Sequence, residues 1–144
     1  MTRYLGIDYG TKRIGLAVGD PPSAPPAPLT TLASRGNVED DARAVLGVAV
    51  QYDIAEFVVG LPLNMDDSEG PQATLTRRFG DALARAAGLP VHYVDERLSS
   101  FAAEELLRPA ELTRAKKKAR ADRVAAQVIL QTFLDSRPPD QDMR

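Results

Sequence analysis

The chain has 144 residues, 44% of them apolar and 26% charged, with a net charge of −2; this fits one soluble globular domain with its own core and does not announce a polyanion binder. With no cysteine and one histidine, His92, it has no disulfide framework, thiolate zinc site or thiol nucleophile, and scant material for a Ser-His-Asp triad. Chemistry falls to carboxylates, hydroxyls, Lys, Arg or a bound metal.

Residues 3–9 and 13–19 read as two strands around a tight turn, Gly10-Thr11-Lys12, where Gly10 is able to supply a positive φ. On the second strand Ile14, Leu16 and Val18 face one way and Gly15, Ala17 and Gly19 the other. The small-residue side is open to close approach by another element. "PPSAPPAP" (21–28) predicts a stiff extended connection, neither helix nor central strand, leading into a third strand at "LTTLA". Asn37 is placed to cap a helix with Val38, Ala42, Val45, Leu46 and Ala49 at helical spacing and Glu39, Asp40 and Asp41 in its first turn.

"EFVVGLP" has the short, wholly apolar pattern of a parallel strand buried on both faces, and the polar loop "LNMDDSEGPQ" follows it. Leu75, Phe79, Leu83 and Ala86 mark a helix that "GLP" (88–90) stops. "VHYV" is another short strand, ending in "DERLSS". Ser99 or Ser100 is placed to cap a short helix through Leu107, closed by Pro109. "RPAELTRAKKKAR" reads as a basic connection into a last helix at about 119–136, and "RPPDQDMR" as a disordered tail.

Three strands in succession, then helix, strand, helix, strand, helix, helix, predict an α/β fold. One mixed sheet is covered by helices, with the first three strands antiparallel and the later ones joined by crossovers. No repeat or second domain is visible. Arg3 is followed by only a short apolar strand, and no apolar run approaches the roughly 20 residues that span a bilayer, so a cytoplasmic protein without a membrane partner is expected.

Three acids stand where structure alone does not require them. Asp8 ends an apolar strand, and Glu96 lies just past "VHYV". Asp122 precedes Ala126, Ile129 and Phe133 at helical spacing, which points it inward with them. Inward carboxylates are unfavourable unless paired or metal-bound, and three at one spot repel until a proton or cation neutralises them. Mg²⁺ or Mn²⁺ takes such oxygens, and two ions ~3.5–4 Å apart can activate a water and stabilise the leaving oxygen of a phosphodiester.

Each acid also has a purely structural reading: Asp8 accepting turn amides, Glu96 pairing with Arg97 or Arg13, and Asp122 as a first-turn acid favoured by the helix dipole. Their joint placement among Lys and Arg favours a site. Asp95 and Glu96 alternate, so one of them faces the cluster, and Glu96 is preferred. Asp20, Asp66 and Asp67 read as loop acids, and His92 as packed against a helix or capping a carbonyl.

From Arg108 to Arg123 there are seven Lys/Arg against two acids, Glu111 and Asp122. Charge runs are usually solvated surface. Yet cations opening a helix oppose its dipole, and their place directly before Asp122 suits a passing polyanion. Aromatics are sparse there, so base stacking is minor.

Four stretches, "LGIDYGTKRIGLAVGD", "FVVGLPLNMDDSEGPQA", "VDERLSS" and "KKKARADRVAAQVILQTFL", together resemble the YqgF family of RuvX-like nucleases in the ribonuclease H-like superfamily. They run in order from residue 5 to 134. The resemblance implies a ribonuclease H-like fold with a five-stranded mixed sheet, a single nuclease domain over 1–136 and a tail at 137–144. It implies a metal-dependent phosphodiester hydrolase with Asp8, Glu96 and Asp122 as catalytic acids and ligands of Mg²⁺ or Mn²⁺, in a two-metal site. Thr11, Lys12, Arg13, Arg97, Lys116, Lys117 and Lys118 would position phosphate.

By the same resemblance the partner is structured RNA, precursor 16S ribosomal RNA trimmed at its 5′ end, or alternatively a four-way DNA junction, and the protein is a monomer or homodimer. The family's loop usually reads "MDGSEG"; here Asp67 replaces the glycine. Two other classes stand beside this. One is a non-catalytic RNA-binding module. The other is a kinase-like ATPase, whose Asp-Gly-Thr hairpin cradles phosphate but whose nucleotide lies between two such domains, where 144 residues offer one.

Overall fold

The chain begins with an antiparallel hairpin, β1 (Tyr4–Tyr9) and β2 (Arg13–Asp20), in which Asp8 pairs with Gly15. β3 (Ala24–Ala33) pairs antiparallel with β2. β4 (Glu56–Leu61) runs parallel to β1, and β5 (Val91–Asp95) parallel to β4, which gives the sheet order β3-β2-β1-β4-β5. The computed structural model describes residues 2–21, 23–98 and 114–136, with backbone only for 114–120. The predicted cap and short helix at Ser99–Pro109 and the tail at 137–144 lie outside the described residues.

Helices cover both faces of the sheet. α1 (Val38–Gln51) and α2 (Pro71–Ala87) lie on one side, closing a core of Leu5, Ile7, Ile14, Leu16, Val45, Phe57, Val59, Phe79 and Leu83. α3 (Arg114–Asp135) lies on the other, where Ile129 and Leu130 pack with Tyr4, Val58 and Val94. Burying each such side chain stabilises the fold by about 1.5–3 kcal/mol. Asn37 caps α1 as expected, accepting from the Asp40 N–H, and Gly88 ends α2 with φ 67.

α3 can lie flat on the sheet because the strands beneath it carry glycines. A Cβ at Gly6 would come within 2.7 Å of the Ala126 carbonyl oxygen, and one at Gly15 within 1.9 Å of that of Asp122. This is the open side of β2 foreseen from Gly15, Ala17 and Gly19.

Several expectations are corrected. The third strand starts at Ala24 and includes Pro25, Pro26 and Pro28. An edge strand tolerates proline because one row of its backbone groups needs no partner, and the register is broken near Ala17. The last helix starts at Arg114, not near 119, so the basic residues from Arg114 to Arg123 lie within it and Asp122 is two turns in. Gly10 does not use a positive φ; it is needed because a Cβ there would stand 2.7 Å from the Arg13 carbonyl oxygen. Ala86 is exposed, and Ala73, Thr76, Gly80 and Ala82 complete the inner face of α2 instead.

Candidate active site

Asp8 lies at the carboxyl end of β1, the central strand, with a glycine on either side. On one side its partner Gly15 touches the backbone of Asp122, so α3 delivers Asp122 beside Asp8. On the other, Ile7 pairs with Val59, which brings Gly60 alongside, and the Glu96 Cγ is 3.7 Å from where a Gly60 Cβ would be. A larger side chain would collide with the Asp122 backbone at Gly15 and with the Ile129 side chain at Gly60, so both glycines let α3 lie close to the acids. Gly60 was read only as part of an apolar strand; a glycine inside a buried strand is itself the signal of close approach.

The electrostatics follow from this crowding. Burial, the negative charge of Glu96, a hydrogen bond to Glu96 and the charge of Asp122 together push the Asp8 carboxyl up from 3.8 to about 8. At neutral pH the site therefore lacks positive charge, and a proton makes up part of the deficit. Arg13 supplies more: its Nε donates to Asp122 Oδ2 at 2.6 Å.

No three His, Cys, Asp or Glu groups among the described residues stand together at metal-holding distance. Asp8 and Glu96 form a hydrogen-bonded carboxyl pair, while Asp122 is held by Arg13. An all-oxygen donor set of this kind fits a hard divalent cation. The raised Asp8 carboxyl marks where positive charge would be favourable, while Asp122 is compensated by Arg13.

Glu96 is the acid that faces the cluster. It opens a short 3₁₀ turn, Glu96–Leu98, just past β5. Asp95 points elsewhere, held below the usual carboxylate range by hydrogen bonds from Arg97. Asp122 does not sit in a first turn, so the dipole reading of that residue falls.

Thr11 and Lys12 are exposed at the hairpin turn, beside Arg13. The guanidinium of Arg97 is bound to Asp95, Asp67 and the Asn64 carbonyl. Lys116, Lys117 and Lys118 belong to α3, and their side chains lie outside the described residues. Of the other acids, Asp20 pairs with Arg3, Asp66 accepts from Ser68, and Asp67 has φ 70. His92 packs against Phe133 of α3 and bonds Glu56 at 2.6 Å, a carboxylate rather than a carbonyl.

The sequence reading missed Asp41, fully buried at the start of α1. It accepts from the Tyr9 hydroxyl at 2.6 Å, the Ser34 hydroxyl at 2.9 Å and the Arg35 N–H at 2.6 Å. Burial and the bond to Asp41 push the Tyr9 phenol upward, and its ring stacks on Phe79 at 4.1 Å. This network fixes the end of β1 from below, one residue beyond Asp8. Asp41 had looked like one more first-turn acid, and only the fold reveals its partners.

Among the described residues no helix is long and apolar enough to cross a membrane. A family model described as "RuvX: Holliday junction resolvase" matches residues 2–136. A protein of Myxococcus xanthus named "Putative pre-16S rRNA nuclease" is 45% identical over 141 residues, 97% of this chain and 93% of the relative. One of the same name from Anaeromyxobacter dehalogenans (strain 2CP-C) is 48% identical over 137 residues, 95% of this chain and 99% of that one. Among solved structures, Thermus thermophilus RuvC in complex with a Holliday junction substrate shares the fold. Its TM-score is 0.61 at 18% identity, over 94% of this chain and 96% of that one. The sheet with α3 laid across its glycines is thus a RuvC-like, ribonuclease H-type arrangement, and the chain belongs to the RuvX family.

Proposed function

We propose that the chain is a metal-dependent nuclease that hydrolyses phosphodiester bonds in the 5′-end maturation of precursor 16S ribosomal RNA. One observation carries the choice of site: Asp8, pressed between Glu96 and Asp122, holds a proton up to about pH 8 where a cation would relieve all three acids. The names of the family's relatives support the substrate.

Asp8 adjoins both other acids and so would serve two metal positions, Glu96 completing one and Asp122 the other. Mg²⁺ or Mn²⁺ bound there would supply the Lewis acid that activates water and stabilises the leaving oxygen. The chain's own groups do the rest. Cations held there would favour ionised Asp8 and would offer Asp122 a partner other than Arg13. Arg13, next to the exposed Lys12 and Thr11, would then be available to a phosphate. Such an exchange of partners would put a guanidinium next to the phosphodiester, while in the free protein Arg13 compensates Asp122.

The test is cleavage of a 5′-extended 16S precursor and of a four-way DNA junction, side by side, with Mn²⁺ and with Mg²⁺, by the wild type and by Glu96→Gln. Cleavage of the precursor by the wild type alone is the expected result. The family model's description favours a second reading, a junction resolvase; paired nicks in the junction with the precursor intact would select it. No cleavage with any metal would leave a non-catalytic RNA-binding module.

A further inference from the structure

Arg97 has the charge and position to meet a phosphate, but its donors are already engaged. Nε donates to Asp95 Oδ1 at 3.0 Å, and Nη2 donates to Asp95 Oδ2 and Asp67 Oδ1 at 2.7 Å each. Nη1 donates to the Asn64 carbonyl at 2.8 Å and to that of Met65 at 3.4 Å. A guanidinium has five N–H groups, one on Nε and two on each terminal nitrogen, so this set uses all of them.

The residues on either side of Glu96 are thereby locked to each other. Asp95 also accepts from the Arg97 backbone N–H at 3.0 Å, closing a tight turn with Glu96 at its apex. The same arginine reaches across to the loop after β4. That loop is closed on itself by Asn64 N–H to the Ser68 carbonyl and Asp67 N–H to the Asn64 carbonyl, both at 2.9 Å. Its far end is tied to α2 by the Glu69–Arg77 pair. Among the contacts described, Arg97 joins the loop's tip to the end of β5.

Asp67 supplies the loop's side of the arrangement. Its φ of 70 lies in the left-handed region, which glycine occupies freely and a residue with a Cβ does not. The aspartate keeps that conformation while its carboxylate holds Arg97.

We propose that Arg97 is a positioning residue: it clasps the 64–67 loop to the end of β5 and fixes the turn that aims Glu96 at Asp8, with Asp67 as the loop's half of the clasp. Its effect on cleavage rests on the nuclease reading of Asp8, Glu96 and Asp122; its effect on the loop does not.

The experiment compares the wild type with Arg97→Gln, Arg97→Lys and Asp67→Gly in three measurements. In hydrogen exchange, the amides of Asn64, Asp67 and Ser68 should exchange faster in all three variants, by about tenfold in Arg97→Gln. Lysine should fail to restore protection because it lacks the planar fork. In metal-free binding to the 5′-extended precursor RNA, Arg97→Gln should keep the wild-type slope of log K against log salt; a lost phosphate contact would reduce that slope by about 0.7–0.9. In cleavage, kcat should fall by about 10- to 100-fold, the range for partners that orient metal-binding groups, with KM nearly unchanged.

Unchanged exchange in both Arg97→Gln and Asp67→Gly would overturn the clasp. So would a reduced salt slope in Arg97→Gln that Arg97→Lys restores, since that marks a phosphate ligand. If the wild type cleaves neither substrate, the nuclease reading fails while exchange and salt slope still decide the clasp.

Discussion

Replacing Asp8 with asparagine should inactivate the protein and also stabilise it. In the folded chain, burial, Glu96 and Asp122 keep the Asp8 carboxyl protonated up to about pH 8, whereas the unfolded chain releases that proton near 3.8. Between these values the native state binds one more proton than the unfolded state, so stability falls as pH rises, by about 1.4 kcal/mol per pH unit. The contribution is whole below pH 3.8 and gone above about 8. The full interval sets a ceiling of about 6 kcal/mol. Solvent reaches the partly exposed carboxyl, which lowers the expected effect to about 2–3 kcal/mol.

Asparagine keeps the shape and has no proton to lose. In metal-free buffer Asp8→Asn should match the wild type near pH 4 and exceed it near pH 8.5 by roughly 6–10 °C in Tm. Thermal unfolding at the two pH values reads this directly. Adding Mn²⁺ at pH 8.5 should raise the wild-type Tm by mass action and leave the variant where it was. A variant no more stable than the wild type at pH 8.5 would refute the idea that crowding of the three acids raises Asp8.

Gly15→Ala should shift α3 or unfold the chain, because the new Cβ would stand 1.9 Å from the Asp122 carbonyl oxygen; urea unfolding should show a loss of about 3 kcal/mol or more. Asp41→Ala, which strands the Tyr9 and Ser34 hydroxyls and the Arg35 N–H, should lose about 2–4 kcal/mol in the same assay. Arg13→Gln should change stability by less than about 1 kcal/mol, since the guanidinium is partly exposed. By calorimetry it should also bind Mn²⁺ several-fold more tightly, because Asp122 no longer has to release a cation, while its precursor-RNA salt slope drops by about 0.7.

The sheet was legible in the sequence wherever one periodicity ruled. Alternation in residues 13–19 separated the core face from the glycine face of β2, and the apolar run at 57–61 read correctly as a buried parallel strand. Boundaries were lost where two local signals competed. The prolines at 25, 26 and 28 spoke against a helix or a central strand, and the edge strand they still allow begins at Ala24 rather than at Leu29. The lysine run argued against a helix start that nevertheless falls at Arg114.

Asp8 and Glu96 stood out because they close apolar strands, and Asp122 because it shares the helical spacing of Ala126, Ile129 and Phe133 although it lies two turns inside α3. The partners of Arg97 were only half legible for a physical reason: Asp95 lies two positions away, but its other acceptors come from residues 64–67, some thirty positions away. The same holds for Arg13 and Asp122, joined across 109 positions.

Whether metal-dependent cleavage needs Asp8 tests the three-acid site most directly. Wild type and Asp8→Asn, both verified as folded, should be incubated with the 5′-extended 16S precursor in Mn²⁺ or Mg²⁺ and in chelator. The wild type should cleave only with metal, and Asp8→Asn should not cleave at all. Undiminished cleavage by Asp8→Asn, or equal wild-type cleavage in chelator, would contradict a site built from Asp8, Glu96 and Asp122.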